Sequence, residues 1–272
     1  MLKTLHDREI VIINVGANKN HRGLISPRWE DGSFFFMPIP EEGNKPDADK
    51  DLFPGCRNLP TYKEFIKDQK VLQCKCVPDG YLETRVHTDP EFVTFTYGDN
   101  PETIAKGKAA NLKQYLGQGD LLFFFAGLTL IRNSEKTSDY HFYFIGFFEI
   151  SDILENVTQI PFKDKLEKFG GNAHIKRGKA DSKFFNKFWV WKGSDNSQRF
   201  SKAVPFDLEL AKKILTVGKT EEPYCWTTDG RDLQQLGSRT RAARRILGDE
   251  RKRILLEQVR AKNDVPLFKN IL

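Results

Sequence analysis

The chain has 272 residues, enough to bury a large core in one domain or one domain with a small appendage. No apolar run approaches the roughly 18 residues a membrane span needs, and the first residues, MLKTLHDREI, lack the apolar centre of a signal peptide, so a cytoplasmic protein is expected. The formal net charge is +6, and Gln234 to Lys262 alone holds nine basic and three acidic residues, so the whole excess lies in one C-terminal segment.

Glu9 to Val15 (EIVIINV) is apolar and β-branched, ends at Gly16 and reads as the first strand. The polar stretch after it carries His21, Arg22, Ser26, Arg28 and Trp29. Ser33 to Met37 (SFFFM) reads as a return to the sheet, stopped by Pro38 and Pro40, because proline donates nothing to a ladder. An irregular, solvated section runs to about Leu59. Thr61 and Glu64 then have capping-box spacing for a short helix to Gln69. Pro101 to Leu116 reads as a helix with Asn100 as its cap and Ile104, Ala105, Leu112, Tyr115 and Leu116 on its buried face.

Gln118 to Ile150 is the centre of the fold. LLFFF (Leu121 to Phe125) and FYFIGFF (Phe142 to Phe148) are continuous apolar runs of strand length, which reads as two strands buried on both faces. The polar residues Ile131 to Asp139 between them form the connection of an antiparallel hairpin. Asp152 to Glu155 and Pro161 to Phe169 read as short helical or connecting pieces. Asn172 to Ile175, Phe184 to Trp191 and Ser197 to Phe206 read as extended, and Leu208 to Val217 as a helix. The tail from about Asp232 to Lys262 has helical composition, with a break at Gly248-Asp249 and Asp249 as the cap of its second half. The fold class is therefore α+β, with a strongly curved, mainly antiparallel sheet or open barrel, flanking helices and a basic C-terminal helical segment. Residues 1–217 are expected to form the core domain and residues 218–272 the extension.

Five residue groups are candidates for chemistry. His87 and Asp89 are two apart, so in an extended segment they share a face, and a carboxylate beside an imidazole suits a general base. A turn before Pro90 in which the histidine merely packs is the plain alternative. Asn172 and His174 repeat that spacing after the flexible Gly170-Gly171. His21, Arg22 and Arg28 occupy a loop, where ligand contacts and solvated charges are both common. Arg199, behind a polar turn, can grip a phosphate or carboxylate, or pair with a surface acid. His141 opens the second hairpin strand, at the opposite end from Asp120, so the two share a site only if the sheet curls into a barrel. Cys74 and Cys76 form C-x-C and Cys56 and Cys225 stand alone; reduced thiols are expected, and no metal-ligand spacing is present, so no metal is expected. Nucleophile elbow, P-loop, dinucleotide fingerprint and H-E-x-x-H are all missing, and no cofactor is indicated.

The tail differs in kind. Under helical spacing Arg241, Arg244, Arg245, Arg251 and Lys252 lie near one face, while Ala243, Ile246, Leu247, Ile254 and Leu255 supply apolar positions. Five or six phosphate contacts on duplex DNA give a salt slope of roughly 4 to 5 in log K against log salt. A solvated helix with pairs such as Glu250 and Arg253 is the plain alternative.

In order along the chain, Ser26-Pro27, DGSFFFMPIP (Asp31 to Pro40), His87-Thr88-Asp89-Pro90, Tyr97-Gly98, Asn111-Leu112, GDLLFFF (Gly119 to Phe125) with Gly127, Gly146, NAHIKR (Asn172 to Arg177) and WKGSDNSQRFSKAVPF (Trp191 to Phe206) resemble the nucleotide-modification-associated domains of the third type. The resemblance covers about residues 8 to 207, and the basic tail lies outside it. The Gly-Asp-x-x-x-Phe piece is also similar to one in the ASCH, EVE and PUA-like barrels that bind modified bases. The resemblance implies a role with nucleic-acid bases, recognising modified ones or acting on them, and it points to His87, Asp89, Asp120 and Asn172. Three readings stand at this point. The first is a pocket for a base at the edge of the sheet, with His87, Asp89, Asn172 and His174 as polar contacts, Trp29 or Trp226 for stacking, and the tail on phosphates, DNA being favoured over RNA. The second is a hydrolytic enzyme on nucleic acid using His87 and Asp89 as an acid–base pair. The third is an interaction module without chemistry.

Overall fold

The aromatic runs of the sequence become the middle of one large sheet. The computed structural model describes residues 3–17, 23–41, 58–101, 108–217, 220, 222–224, 226 and 232–272. Its strands are β1 (Ile10–Asn14), β2 (Ser26–Arg28), β3 (Ile39–Pro40), β4 (Val86–His87), β5 (Thr96–Asp99), β6 (Leu121–Arg132), β7 (Glu135–Val157), β8 (Phe188–Gly193), β9 (Gln198–Pro205) and β10 (Arg244–Arg245). The main sheet runs β10-β1-β6-β7-β8-β5, with β2 also on β6 and β9 also on β7, while β3 and β4 form a small sheet of their own. β1 and β2 lie parallel to β6, and the other pairings are antiparallel, so the sheet is mostly antiparallel and does not close into a barrel.

β6 and β7 pair from Leu121↔Glu149 to Arg132↔Glu135. Their connection is shorter than the polar composition suggests. Only Asn133 and Ser134 turn, both at positive φ (50° and 64°), and the charged residues on either side belong to the strands. The beginning of β7 is exposed, so hydrophilic composition there marks a solvated hairpin and not a loop. β7 continues through Asp152 to Glu155, expected as connecting residues, and changes partner on the way: Tyr143 to Phe147 face β9, and Ile150 to Val157 face β8.

The two faces of β6 pack into different layers. Phe124 meets Phe92 and Phe148 edge-on and lies beside Tyr97. Phe123 stacks on Phe147 and also meets Phe144 and Phe268, on the side of the C-terminal helices. Phe144 and Phe147 are three apart and would leave a regular strand on opposite faces. The register shift between Phe124 and Phe125 turns both toward Phe123.

Several segments differ from their sequence reading. Ser33 to Met37 forms only the isolated bridge Arg28↔Phe34, although the Met37 amide is held by Ser26 Oγ at 3.0 Å. Asn172 is the N-cap of the helix Ala173–Ala180 and not part of a strand. Cys74 and Cys76 are joined by a disulfide where reduced thiols were expected; the chain is not extended there, since Lys75 sits at φ 49°. The capping box at Thr61 and Glu64 is present. The helix after Pro101 is described over Lys108–Tyr115; Ile104, Ala105, His21, Arg22, Cys56 and Cys225 lie outside the described residues.

The residues beyond 217 were read as a helical extension, and they do more than that. The helix Asp232–Arg239 is followed by β10, which pairs with β1 at Val11↔Arg245 and Ile12↔Arg244. β10 covers an edge of β1 that would otherwise present unpaired backbone groups. The helix Asp249–Arg260 starts after Gly248, at φ 79°, which takes the cap position expected for Asp249. Leu236, Ala243, Ile246, Leu255, Leu256, Val259 and Phe268 all join the main core. No helix among the described residues is long and apolar enough to cross a membrane.

Two smaller apolar clusters flank the main core. One gathers Leu24, Met37, Tyr62, Val71 and Val86, and the other Val157, Phe169, Ile175, Phe185 and Phe188. Their elements carry β4 and the helix Ala173–Ala180 to the end of β5, and the candidate site forms there.

Candidate functional site

Pairing of β3 with β4 sets Ile39 opposite His87, which brings Glu41 alongside the imidazole: Glu41 Oε2 lies 2.6 Å from His87 Nδ1. Asp89, two residues on, uses Oδ1 to accept from Asn172 Nδ2 at 2.8 Å and from the Gly98 amide of β5 at 3.2 Å. The same Asn172 side chain accepts from the His174 amide at 3.0 Å through Oδ1. One carboxamide therefore caps a helix and orients Asp89. Arg177 lies one turn further along that helix, with Nε 2.8 Å from Glu41 Oε1 as an ion pair. β5 passes so close that a Cβ on Gly98 would stand 2.5 Å from His174 Cδ2 and 2.7 Å from Asn172 Oδ1. Glycine is required there by space.

The second oxygen of Asp89 is the centre of the arrangement. Oδ2 stands 3.0 Å from His87 Nε2 and 3.4 Å from His174 Nε2, and the two rings meet edge to face. Yet Oδ2 is buried and hydrogen-bonded to neither, because both contacts lie outside hydrogen-bond geometry. His87 Nε2, Asp89 Oδ2 and His174 Nε2 all lie within 4.8 Å of one another, a donor set able to hold a metal ion. The sequence shows no such spacing. The fold makes it from β4, the residues just after it and the helix Ala173–Ala180.

The electrostatics of the two histidines are opposed. Burial works against charge on His87, but the Asp89 and Glu41 carboxylates beside its two ring nitrogens outweigh it and raise its pKa to about 10. Burial holds His174 well below the ordinary histidine value, reinforced by the charges of His87 and Arg177. Burial raises the Asp89 carboxyl, against the pull of His87. The two carboxylates thus favour charge at His87, whether carried by a proton or by a bound cation, while burial favours a neutral His174.

The cluster opens onto a cleft of about 1140 Å³. Tyr97, Tyr140 and Phe142 give it aromatic wall, Asn14, Gln234 and Ser238 give it polar groups, and the exposed Arg241 gives it charge. Of the residues singled out in the sequence, His87, Asp89, Asn172 and His174 converge, and Arg241 joins them on the cleft. The other candidates lie elsewhere. Asp120 accepts from Lys3 Nζ (2.6 Å), the Glu9 amide (2.9 Å) and the Gly117 amide (2.7 Å), and so ties down the start of β6, while the cleft gathers past the far end of β1. Arg199 donates to the Phe34 carbonyl and lies over the Phe34 and Phe35 rings. Arg28 pairs with Asp139 and lies over Tyr143. His141 pairs with Asp139.

The basic face of the tail is also broken up, because the segment is not one helix. Arg244 and Arg245 are strand residues: Arg244 lies over Tyr224, and Arg245 grips Glu9 with two bonds of 2.9 and 2.6 Å. Lys252 is buried and donates to the Leu5 and His6 carbonyls. Arg251 sits on the helix Asp249–Arg260, outside the cleft. Trp226 packs on Tyr224 under Arg239, and Trp29 packs on the second apolar cluster. Glu41, Arg177, Tyr140 and Phe142 are site residues that the sequence reading missed. Helical spacing in NAHIKR would have found Arg177, since positions 174 and 177 share a face only in a helix.

The family model for nucleotide modification associated domain 3 matches residues 9–253. The chain belongs to that family. The match extends past the resemblance read from motifs and takes in Arg241, β10 and the first residues of the last long helix. Membership links this Nmad3 domain to nucleic-acid modification. No curated protein and no solved structure matches the chain.

Proposed function

We propose that the Nmad3 cleft takes up a nucleotide of a nucleic acid and that the His87–Asp89–His174 cluster acts on its base. The observation that carries this reading is the convergence of three polar side chains, Asp89 buried with an unsatisfied oxygen and His87 and His174 largely covered, on a cleft of about 1140 Å³. Such a cleft is at or above the upper end of ordinary ligand pockets, which run to about 1,000 Å³. Buried ionisable groups with pKa values pushed in opposite directions are a common mark of a reacting site. Tyr140 and Phe142, with ring centres 6.1 Å apart, provide aromatic surface beside the cluster. Stacking worth about 1–3 kcal/mol per base offsets much of the few kcal/mol that extruding a base from a duplex costs. Arg241, the one of the five basic residues expected on phosphates that lines the cleft, contacts a phosphate in this reading.

The test is binding of single-stranded DNA, duplex DNA and RNA oligomers at two salt concentrations, followed by mass spectrometry of the recovered nucleosides. The expected result is salt-sensitive binding whose slope falls by about one on Arg241→Ala, with altered nucleosides that vanish on His174→Ala. Binding indifferent to both Arg241→Ala and Phe142→Ala sinks the cleft as the binding site. Binding with unaltered nucleosides sinks the catalytic part and leaves a reader of bases.

A further inference from the structure

We propose that His87 Nε2, Asp89 Oδ2 and His174 Nε2 hold a first-row divalent metal ion, with its remaining positions open to the cleft. Around an ion bonded at about 2.0–2.2 Å, ligand atoms at octahedral to tetrahedral angles stand roughly 3.0–3.4 Å apart. Asp89 Oδ2 stands 3.0 Å from one histidine nitrogen and 3.4 Å from the other. These are ligand-to-ligand spacings without hydrogen bonds. They leave a carboxylate oxygen, on a side chain only 4% exposed, without a well-directed hydrogen bond. A divalent cation in the middle of the three atoms satisfies it and releases to solvent the proton that the carboxylates otherwise favour on His87 Nε2.

The surrounding bonds point the same way. A histidine that ligates a metal usually gives its other ring N–H to a carboxylate, and a ligating carboxylate is itself hydrogen-bonded on its other oxygen. His87 Nδ1 meets Glu41 at 2.6 Å, and Asp89 Oδ1 takes its bonds from Asn172 and Gly98. The outward atoms of both side chains are thereby engaged, and the inward atoms converge. Glu41 is steadied in turn by Arg177. Two imidazoles and one carboxylate suit manganese, iron, cobalt, nickel or zinc better than calcium or magnesium, which favour oxygen. As an account of how the cluster acts on a nucleotide, this inference rests on the reading above. Its test uses no nucleotide, so the two fail separately.

The full chain is stripped with a chelator and titrated with Co²⁺ alone, followed by visible absorption and calorimetry. The expected result is one Co²⁺ per chain, with ligand-field bands, no thiolate charge-transfer band, and displacement by Zn²⁺. Glu41→Gln weakens binding by about 10- to 100-fold, and His174→Leu abolishes it. Asp89→Asn, which keeps an oxygen for Asn172 and Gly98 and so keeps the local shape, abolishes it as well. Circular dichroism establishes that each variant is folded. The inference is overturned by absent stoichiometric binding, by binding that survives both His174→Leu and Asp89→Asn, or by a thiolate band that places the ion on cysteine. Nucleotide binding that fails while the Co²⁺ signal stands overturns only the nucleotide reading.

Discussion

At the scale of single residues, Asn172 shows how little material holds the site together. Its carboxamide accepts from the backbone of a helix and donates to a buried carboxylate. Removing it with Asn172→Ala takes away a cap worth about 1 kcal/mol and strips a buried oxygen of a donor, at about 1–3 kcal/mol. Asn172→Asp separates the two effects: it keeps an acceptor for the His174 amide and sets a second carboxylate against Asp89. We expect both variants to lower the melting temperature, Asn172→Asp increasingly so as pH rises above the carboxylate range. Equal melting of Asn172→Ala and wild type would mean that the amide carries no weight. The pairing of His87 with Asp89 was legible because both lie on one short stretch. Glu41 was not, since nothing local links it to a histidine 46 positions away. The antiparallel register Ile39↔His87 makes that contact.

At the scale of elements, the hairpin of β6 and β7 is the part best announced by its residues. Continuous aromatic runs have no polar face to turn to water, so such strands must be covered on both sides. Phe124 is wholly buried between Phe92, Tyr97 and Phe148. Phe124→Ala should destabilise the protein by about 3–5 kcal/mol, measured by denaturant unfolding with the slope unchanged. A loss below about 1 kcal/mol would show a core able to collapse around the gap. The helix carrying His174 was the costliest misreading at this scale. Residues 172 to 175 are too few to show a period, and an i, i+2 pair looks like a strand face. Under strand geometry His174 and Asn172 would share a side chain direction, whereas under helix geometry Asn172 turns back as a cap and His174 goes forward with Arg177.

For the whole molecule, the buried pair of Arg8 and Glu149 fastens the N-terminal segment to the main sheet: Arg8 Nη1 meets Glu149 Oε1 at 2.6 Å, and Ser194 and Asn196 donate to Oε2 at 2.7 and 2.8 Å. Burial opposes the charge on Glu149, but these donors prevail and hold its carboxyl below the usual value of 4.5. A carboxylate with a lowered folded pKa contributes stability that is present above its unfolded value and is lost as pH falls through the folded one. Acid unfolding should therefore steepen below about pH 4.5, and Glu149→Gln should flatten that limb while costing stability at neutral pH. Identical acid limbs would remove Glu149 from the account. What the sequence determined by itself was the class of fold, the central hairpin, the capping box at Thr61, the family and the candidacy of His87, Asp89, Asn172 and His174. All of these rest on runs, spacings and caps within a few residues, where local chemistry suffices. Tertiary structure alone decided that the four converge beside one cleft with Glu41 and Arg177, that a metal-like donor set exists, and that Arg244, Arg245 and Lys252 of the basic tail are taken up by Glu9, backbone carbonyls and an aromatic ring. Those outcomes depend on register and on edge-strand pairing between segments far apart in the chain, and β10 closing the edge of β1 turned what had been read as a helical stripe into part of the sheet.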